Sequence, residues 1–223
     1  MPFTWLYGSA GSGKTILSAG IVKELQGFCA ADPAKSLAFF FFDFDDAKKR
    51  DPVNMVKSLL SQFLNRCSSV PDTVRSVYTA CGDGQCEASL EQLLQALRDT
   101  LELLPASFVV LDALDECRSW STLLEIVEEM QKWDKNTLRV ILTSRQEVTI
   151  QEGLEDIIPS DSWTCLESRC VDKDIRTYVK ERLAKDKSFK RWQRDPDIRE
   201  EIERTLGREA HGMYSLSGPH SIS

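Results

Sequence analysis

The chain lacks any long apolar run. Its longest, Leu37 to Phe42, is six residues, far short of the ~20 that span a bilayer as a helix. It reads as a buried strand, and no membrane partner is expected. The opening Met1-Pro2-Phe3 carries no basic region and no cleavable apolar segment, so no secretory signal is visible. An excess of positive charge is missing too: 28 Lys and Arg stand against 35 Asp and Glu, a net charge of −7. That balance argues against a protein that holds nucleic acid by nonspecific phosphate neutralisation, though it leaves room for a local basic patch, and no nucleic-acid partner is expected. Histidine is scarce, with two residues, and the seven cysteines are odd in number and irregularly placed. Free thiols in a reducing, cytoplasmic setting account for that pattern. Cys81-x4-Cys86 and Cys165-x4-Cys170 are spaced more widely than the usual x2 zinc pair, and His211 and His220 lie far along the chain. A zinc site is not expected. No internal repeat is visible. What remains is ordinary globular composition, 42% apolar and 28% charged over 223 residues. That is enough for one sizeable α/β domain with a small helical appendage.

Against that background one stretch stands out, Gly8-Ser9-Ala10-Gly11-Ser12-Gly13-Lys14-Thr15. It fits G-x-x-x-x-G-K-[S/T], the Walker A pattern, which a chain of this length matches by chance about 1% of the time. An apolar run, Phe3 to Tyr7, leads in, and a helix-patterned run leads out from Gly13, the strand–loop–helix context such a loop requires. Glycines let backbone N–H groups converge on phosphate oxygens without Cβ obstruction. The following helix turns the positive end of its dipole toward the same anion. Lys14 supplies a point charge for the β- and γ-phosphates, and the Thr15 hydroxyl helps complete a Mg²⁺ shell. The competing explanation, a Gly/Ser-rich turn before a helix, leaves the flanks and the Lys-Thr pair unaccounted for.

The rest of the chain alternates strands and helices. Strands are expected at Phe3–Tyr7, Ser36–Phe42, Ser107–Asp112, Leu138–Thr143 and, more briefly, Trp163–Leu166. A first helix carries Leu17, Ile21 and Leu25 on its inward face and ends at Gly27. A second starts at Pro52 with Met55, Val56, Leu59, Leu60, Phe63 and Leu64 inward. A short helical piece lies within Pro71–Cys86. Leu90, Leu93, Leu94, Leu97, Leu101 and Leu104 then make the clearest stripe, and Leu123, Ile126, Val127, Met130 and Trp133 another. Such alternation predicts an α/β fold, a parallel sheet covered on both faces. After residue 168 the character changes. Ile175, Val179 and Leu183, then Ile198, Ile202 and Leu206, mark the start of a helical subdomain over 169–212, and 213–223 reads as a disordered tail.

Phe108-Val109-Val110-Leu111-Asp112 is an apolar strand ending in a carboxylate, the Walker B pattern. Many strands end in Asp for structural reasons alone; beside a Walker A loop the better reading is that Asp112 orients Mg²⁺ with Thr15, usually through water. Asp115 and Glu116 follow just past the strand, where a carboxylate can hold an attacking water as general base. Val140-Ile141-Leu142-Thr143-Ser144-Arg145 ends in a cation, and Arg145 can sense a γ-phosphate by paired hydrogen bonds or be a plain surface residue. Cys117 is either a redox-sensitive thiol or a buried one. Lys48-Lys49-Arg50 is a solvated turn, and Trp5 and Trp163 are core or pocket wall. The Asn-Lys-x-Asp guanine signature is missing, since Asn136 is followed by Thr137; this favours ATP/ADP over GTP/GDP.

Taken together, GSAGSGKT, FVVLDALDEC and VILTSR resemble a NACHT-type NTPase domain of the STAND class, especially the fungal NACHT and nephrocystin-type proteins. Ala113 before the acidic pair, Asp174-Ile175 ahead of Tyr178, and SLAFFFF followed by a helix ending SQFL add to the likeness, which covers roughly residues 3–214. The resemblance implies a P-loop NTPase sheet of order 5-1-4-3-2 and a slow, Mg²⁺-dependent nucleotide switch that assembles signalling complexes of an innate-immunity-like kind. It implies that Lys14 and Thr15 bind phosphate and metal, Asp112 coordinates Mg²⁺, Glu116 or Asp115 supports hydrolysis, and Arg145 is the sensor arginine. Family members usually carry an effector domain before and repeats after; the expectation is a truncated member, with other subunits engaged through the flanking domains. A nucleotide-binding interaction module or a remnant without significant hydrolysis is the alternative.

Overall fold

The computed structural model describes residues 3–82, 85–133 and 137–166. Their elements run β1 (Phe3–Tyr7), α1 (Lys14–Ala30), β2 (Lys35–Phe41), α2 (Pro52–Leu64), α3 (Asp72–Ala80), α4 (Leu90–Glu102) and β3 (Ala106–Asp112). After a 3-10 turn at Leu114–Glu116 come α5 (Trp120–Lys132), β4 (Leu138–Ser144), α6 (Val148–Glu155), a second 3-10 turn at Ser160–Ser162, and β5 (Trp163–Cys165). The strands form one five-stranded parallel sheet in the order β2-β3-β4-β1-β5. This is the expected order, 5-1-4-3-2, read from the opposite edge. β2 pairs with β3 from Lys35↔Ala106 to Phe41↔Asp112, and β3 pairs with β4 from Ser107↔Leu138 to Leu111↔Leu142.

Local chemistry explains the element ends. Asp51 caps α2, its carboxylate accepting from Val53 N at 2.8 Å, and Pro52 occupies a first-turn position where its missing N–H costs nothing. Ser89 and Gln92 close a reciprocal capping box at the start of α4. The expected faces of α2, α4 and α5 are buried, with Met55, Val56, Leu59 and Phe63 on the first, Leu93, Leu97 and Leu101 on the second, and Leu123, Ile126, Val127 and Met130 on the third. Val109, Val110 and Leu111 of β3 are enclosed, as suits a strand covered on both faces. Trp5 is core: it is fully buried, its ring meets Trp163 edge-on at 4.9 Å, and its indole N–H donates to Ser144 Oγ at 2.9 Å.

α1 departs from expectation. It runs to Ala30 rather than Gly27, and its buried residues are Ser18, Val22 and Cys29, not Leu17, Ile21 and Leu25. Leu17 is 40% exposed. The cause is polar. Thr15 and Ser18, three residues apart on one helical face, both bond Asp112 at the end of β3, and this rotates the aliphatic stripe away from the sheet.

The described residues fall into two compact units. One holds residues 3–6 and Thr15–Thr164; the other holds Tyr7–Lys14 together with Cys165 and Leu166. The stripes at Ile175–Leu183 and Ile198–Leu206, Asp174, Tyr178 and the tail at 213–223 lie outside the described residues.

Candidate functional site

The smaller unit contains the glycine-rich loop. Gly11 and Gly13 sit at φ 73° and 83°, in the left-handed region that L side chains rarely adopt. Gly8 is needed for a different reason. A Cβ there would lie 2.9 Å from Ser12 Oγ and 3.0 Å from the Leu166 carbonyl oxygen, so a side chain would force both to give way. Ser12 is buried, and its N–H donates to Ser9 O at 3.2 Å, tightening the turn. The Lys14 ammonium reaches back over this turn, donating to Gly8 O at 2.8 Å, Ser9 O at 2.7 Å and Ser12 Oγ at 3.3 Å. Ser9 and Ala10 lie within the same turn. The geometry is that of a phosphate loop with its lysine folded onto the loop carbonyls, where an arriving anion can take over the ammonium's hydrogen bonds.

In the larger unit, Asp112 ends β3 only 1% exposed and draws in three hydroxyls. Its Oδ2 accepts from Thr15 Oγ1 at 2.8 Å, and its Oδ1 accepts from Ser18 Oγ at 2.5 Å and Thr143 Oγ1 at 2.6 Å. Thr143 Oγ1 in turn accepts from the Ala113 N–H at 3.1 Å. Ala113, with φ 59° and ψ 53°, is a non-glycine residue held in the left-handed region. It turns the chain sharply off β3 into the 3-10 turn, where the acidic pair begins. The Thr15 hydroxyl and Asp112 carboxylate are hard oxygen donors, the type that suits Mg²⁺. Among the described residues no group of three or more His, Cys, Asp or Glu is gathered to hold a metal. Mg²⁺ held by so few protein oxygens commonly keeps water in its other positions.

The two acids after β3 face different surroundings. The Asp115 side chain is 5% exposed and fully engaged by one residue. Its Oδ1 accepts from the Arg145 backbone N–H at 2.9 Å, and its Oδ2 meets Arg145 Nε at 3.1 Å. Glu116 points elsewhere, its Oε2 accepting from Phe44 N–H at 2.8 Å. The loop that supplies Phe44 is fastened to the same segment at other points. Arg118 N–H donates to Arg50 O at 2.9 Å and the Arg118 guanidinium pairs with Asp51, while within the loop itself the Arg50 guanidinium lies 4.5 Å from the Phe44 ring centre. Burial pushes the Cys117 thiol up from its ordinary range, and its Sγ lies 3.5 Å from Ser119 O.

So the structure brings Thr15 and Asp112 together, ties Arg145 to Asp115, and gathers Gly8, Ser9, Ser12 and Lys14 into one loop. Sequence reading missed Ser18 and the role of Thr143, because a hydroxyl inside a helix or strand carries no periodic signature. It also missed the Phe44 amide, which as a backbone group leaves none at all.

Comparison with known proteins bears on the family and the fold. The family model for the N-terminal region of nephrocystin 3 matches residues 1–145. The vegetative incompatibility protein HET-E-1 of Podospora anserina is 23% identical over 218 residues, covering 94% of this chain and 16% of that protein. Among solved structures, the Aeropyrum pernix ORC2 protein in its ADP form matches with a TM-score of 0.55 and 17% identity, over 97% of this chain and 54% of that one. The Aeropyrum pernix ORC1 protein in complex with DNA matches with a TM-score of 0.53 and 13% identity, over 96% and 58%. The chain thus spans about a sixth of the curated relative and a little over half of each solved chain, and the structural likenesses speak to the fold alone. With its P-loop NTPase fold and a match over most of its length, the chain belongs to the nephrocystin 3 N-terminal family, as a NACHT-type P-loop domain.

Proposed function

We propose that this chain binds a nucleoside triphosphate, ATP in preference to GTP, hydrolyses it slowly with Mg²⁺, and works as a conformational switch toward other protein subunits. The observation that carries the reading is the pairing of Thr15, next in sequence to the loop lysine, with the buried Asp112 at 2.8 Å. In this reading the loop from Gly8 to Gly13 and Lys14 take the phosphates, while Thr15 and Asp112 hold the metal. Magnesium, when bound, supplies neutralisation of phosphate charge.

The acidic pair divides its labour. Asp115 spends both oxygens on Arg145 and so serves to aim that guanidinium. Glu116 is the acid that positions water, and Asp115 is not. Slowness follows from the engagement of both catalytic side chains: Glu116 must leave the Phe44 amide, and Arg145 must reach out while Asp115 draws it back.

The second reading is a nucleotide-holding interaction module without useful turnover, favoured by the same engagement of Glu116 and Arg145. Glu116→Gln separates the two. A slow enzyme loses phosphate release in that variant and keeps its nucleotide affinity by calorimetry, whereas a pure binder changes in neither. Turnover above roughly ten per second, near the median for enzymes, contradicts the switch.

A further inference from the structure

Among the described residues, the hydrogen-bond partners of the buried Asp112 carboxylate are all hydroxyls. Each bond has a fixed direction. A carboxylate oxygen accepts, and a hydroxyl has a single hydrogen to give. Thr143 Oγ1 accepts from the Ala113 N–H and gives its own hydrogen to Asp112 Oδ1. Ser18, fully enclosed on α1, gives its hydrogen to the same Oδ1. Only the third donor, Thr15, goes to Oδ2. The carboxylate is therefore clamped through one oxygen by two residues that have no other assignment. Its second oxygen is left to the residue whose hydroxyl is the metal candidate.

We infer that Ser18 and Thr143 are positioning residues for metal binding. They fix the rotation of the Asp112 carboxylate, so that Oδ2 would remain available, with the Thr15 hydroxyl, to a bound cation. The inference rests on the function proposed above and concerns only how this chain's own residues prepare the carboxylate. Partners of metal ligands of this kind change metal affinity by about 10–100-fold when lost.

The test uses the full chain with Mn²⁺ in place of Mg²⁺ and a non-hydrolysable ATP analogue. Electron paramagnetic resonance reads the bound Mn²⁺, and calorimetry in EDTA reads metal-free nucleotide binding. Ser18→Ala, which introduces a residue type that suits a helix and keeps Thr15 as the remaining bond from α1 to Asp112, is expected to raise half-saturating Mn²⁺ about 10-fold or more. Thr143→Val should do the same, and Thr143→Ser, which keeps both hydrogen bonds, should restore the wild-type value. Affinity in EDTA should stay within about twofold throughout, which a merely structural defect would not allow. Unchanged Mn²⁺ binding in Ser18→Ala overturns the inference and leaves the function proposal standing. If the wild-type chain binds neither analogue nor metal, the function proposal itself fails and takes this inference with it. Should Thr143→Val fail to fold because the Ala113 amide loses its acceptor, Ser18→Ala still decides.

Discussion

At the scale of single residues, the loop owes its shape to three glycines with two different requirements. Gly11 and Gly13 need the left-handed backbone, whereas Gly8 needs the absence of a Cβ. Gly8→Ala sets a methyl against Ser12 Oγ at 2.9 Å and a backbone oxygen at 3.0 Å, and the carbonyl cannot swing aside as a side chain can. The expected outcome is loss of nucleotide binding with about 1–3 kcal/mol of destabilisation, measured by calorimetry and denaturant unfolding. Cys117 gives a second residue-scale prediction. Its thiol pKa is raised, chiefly by burial, so the thiolate fraction near pH 7 is smaller than for a free cysteine. Alkylation of this thiol, followed by peptide mass spectrometry, should lag behind that of exposed Cys86 and catch up only at alkaline pH. Faster labelling than Cys86 at pH 7 would revive the redox-sensitive reading.

At the scale of elements, Asp51 serves two of them, capping α2 with one oxygen and pairing with Arg118 through the other. Asp51→Asn keeps a good cap and loses only the ion pair with the half-exposed Arg118, a change within about 1 kcal/mol. Asp51→Ala loses both and should cost about 1–2 kcal/mol more, read from the denaturation midpoint. For α1 the telling comparison is Leu17→Lys with Val22→Lys. The first sits on an exposed face and should shift stability by about 0.5 kcal/mol or less, while the second buries an unpaired ammonium and should unfold the chain or nearly so. A helix phased by its aliphatic residues would give the reverse order.

That comparison shows where sequence patterning stops being informative. α2, α4 and α5 were legible because nothing but burial sets their phase, and the apolar spacing records burial directly. α1 was misread by about one residue because two hydroxyls fix its rotation, and hydroxyls do not enter an apolar pattern. α6 was missed: eight residues with Ile150 and Leu154 buried, and with Gly153 packed under Trp120 and Leu124, give too short a stripe to recognise. The strand order was never in the periodicity at all. It came with the resemblance carried by GSAGSGKT, FVVLDALDEC and VILTSR, and the sheet agrees with it. Thr15 and Asp112 were legible in the same way, through motifs, while the division between Asp115 and Glu116 needed coordinates. Adjacent residues look alike in sequence even when one is buried against an arginine and the other faces an amide.

At the scale of the whole molecule, ligand binding and folding are linked. A nucleotide that binds only the folded chain, present at ~100 times its dissociation constant, stabilises it by about 2.7 kcal/mol. Thermal unfolding with Mg²⁺ and ATP, ADP or GTP in turn should show that shift most strongly with the adenine nucleotides, and Lys14→Ala should abolish it. A larger shift with GTP would reverse the base assignment, and equal shifts in Lys14→Ala would place the ligand elsewhere than the glycine-rich loop.

The closure of that loop has a practical side for anyone choosing a fragment to express. The family match ends at residue 145, and a fragment cut there would look natural on paper. Yet the Tyr7 carbonyl accepts from the Leu166 N–H at 2.7 Å, and the Leu166 carbonyl lies against Gly8. Leu166 thus lies against the first residue of the loop. A fragment stopping short of Leu166 would lose this backbone contact beside its own loop, although Leu166 lies past the end of the family-model match.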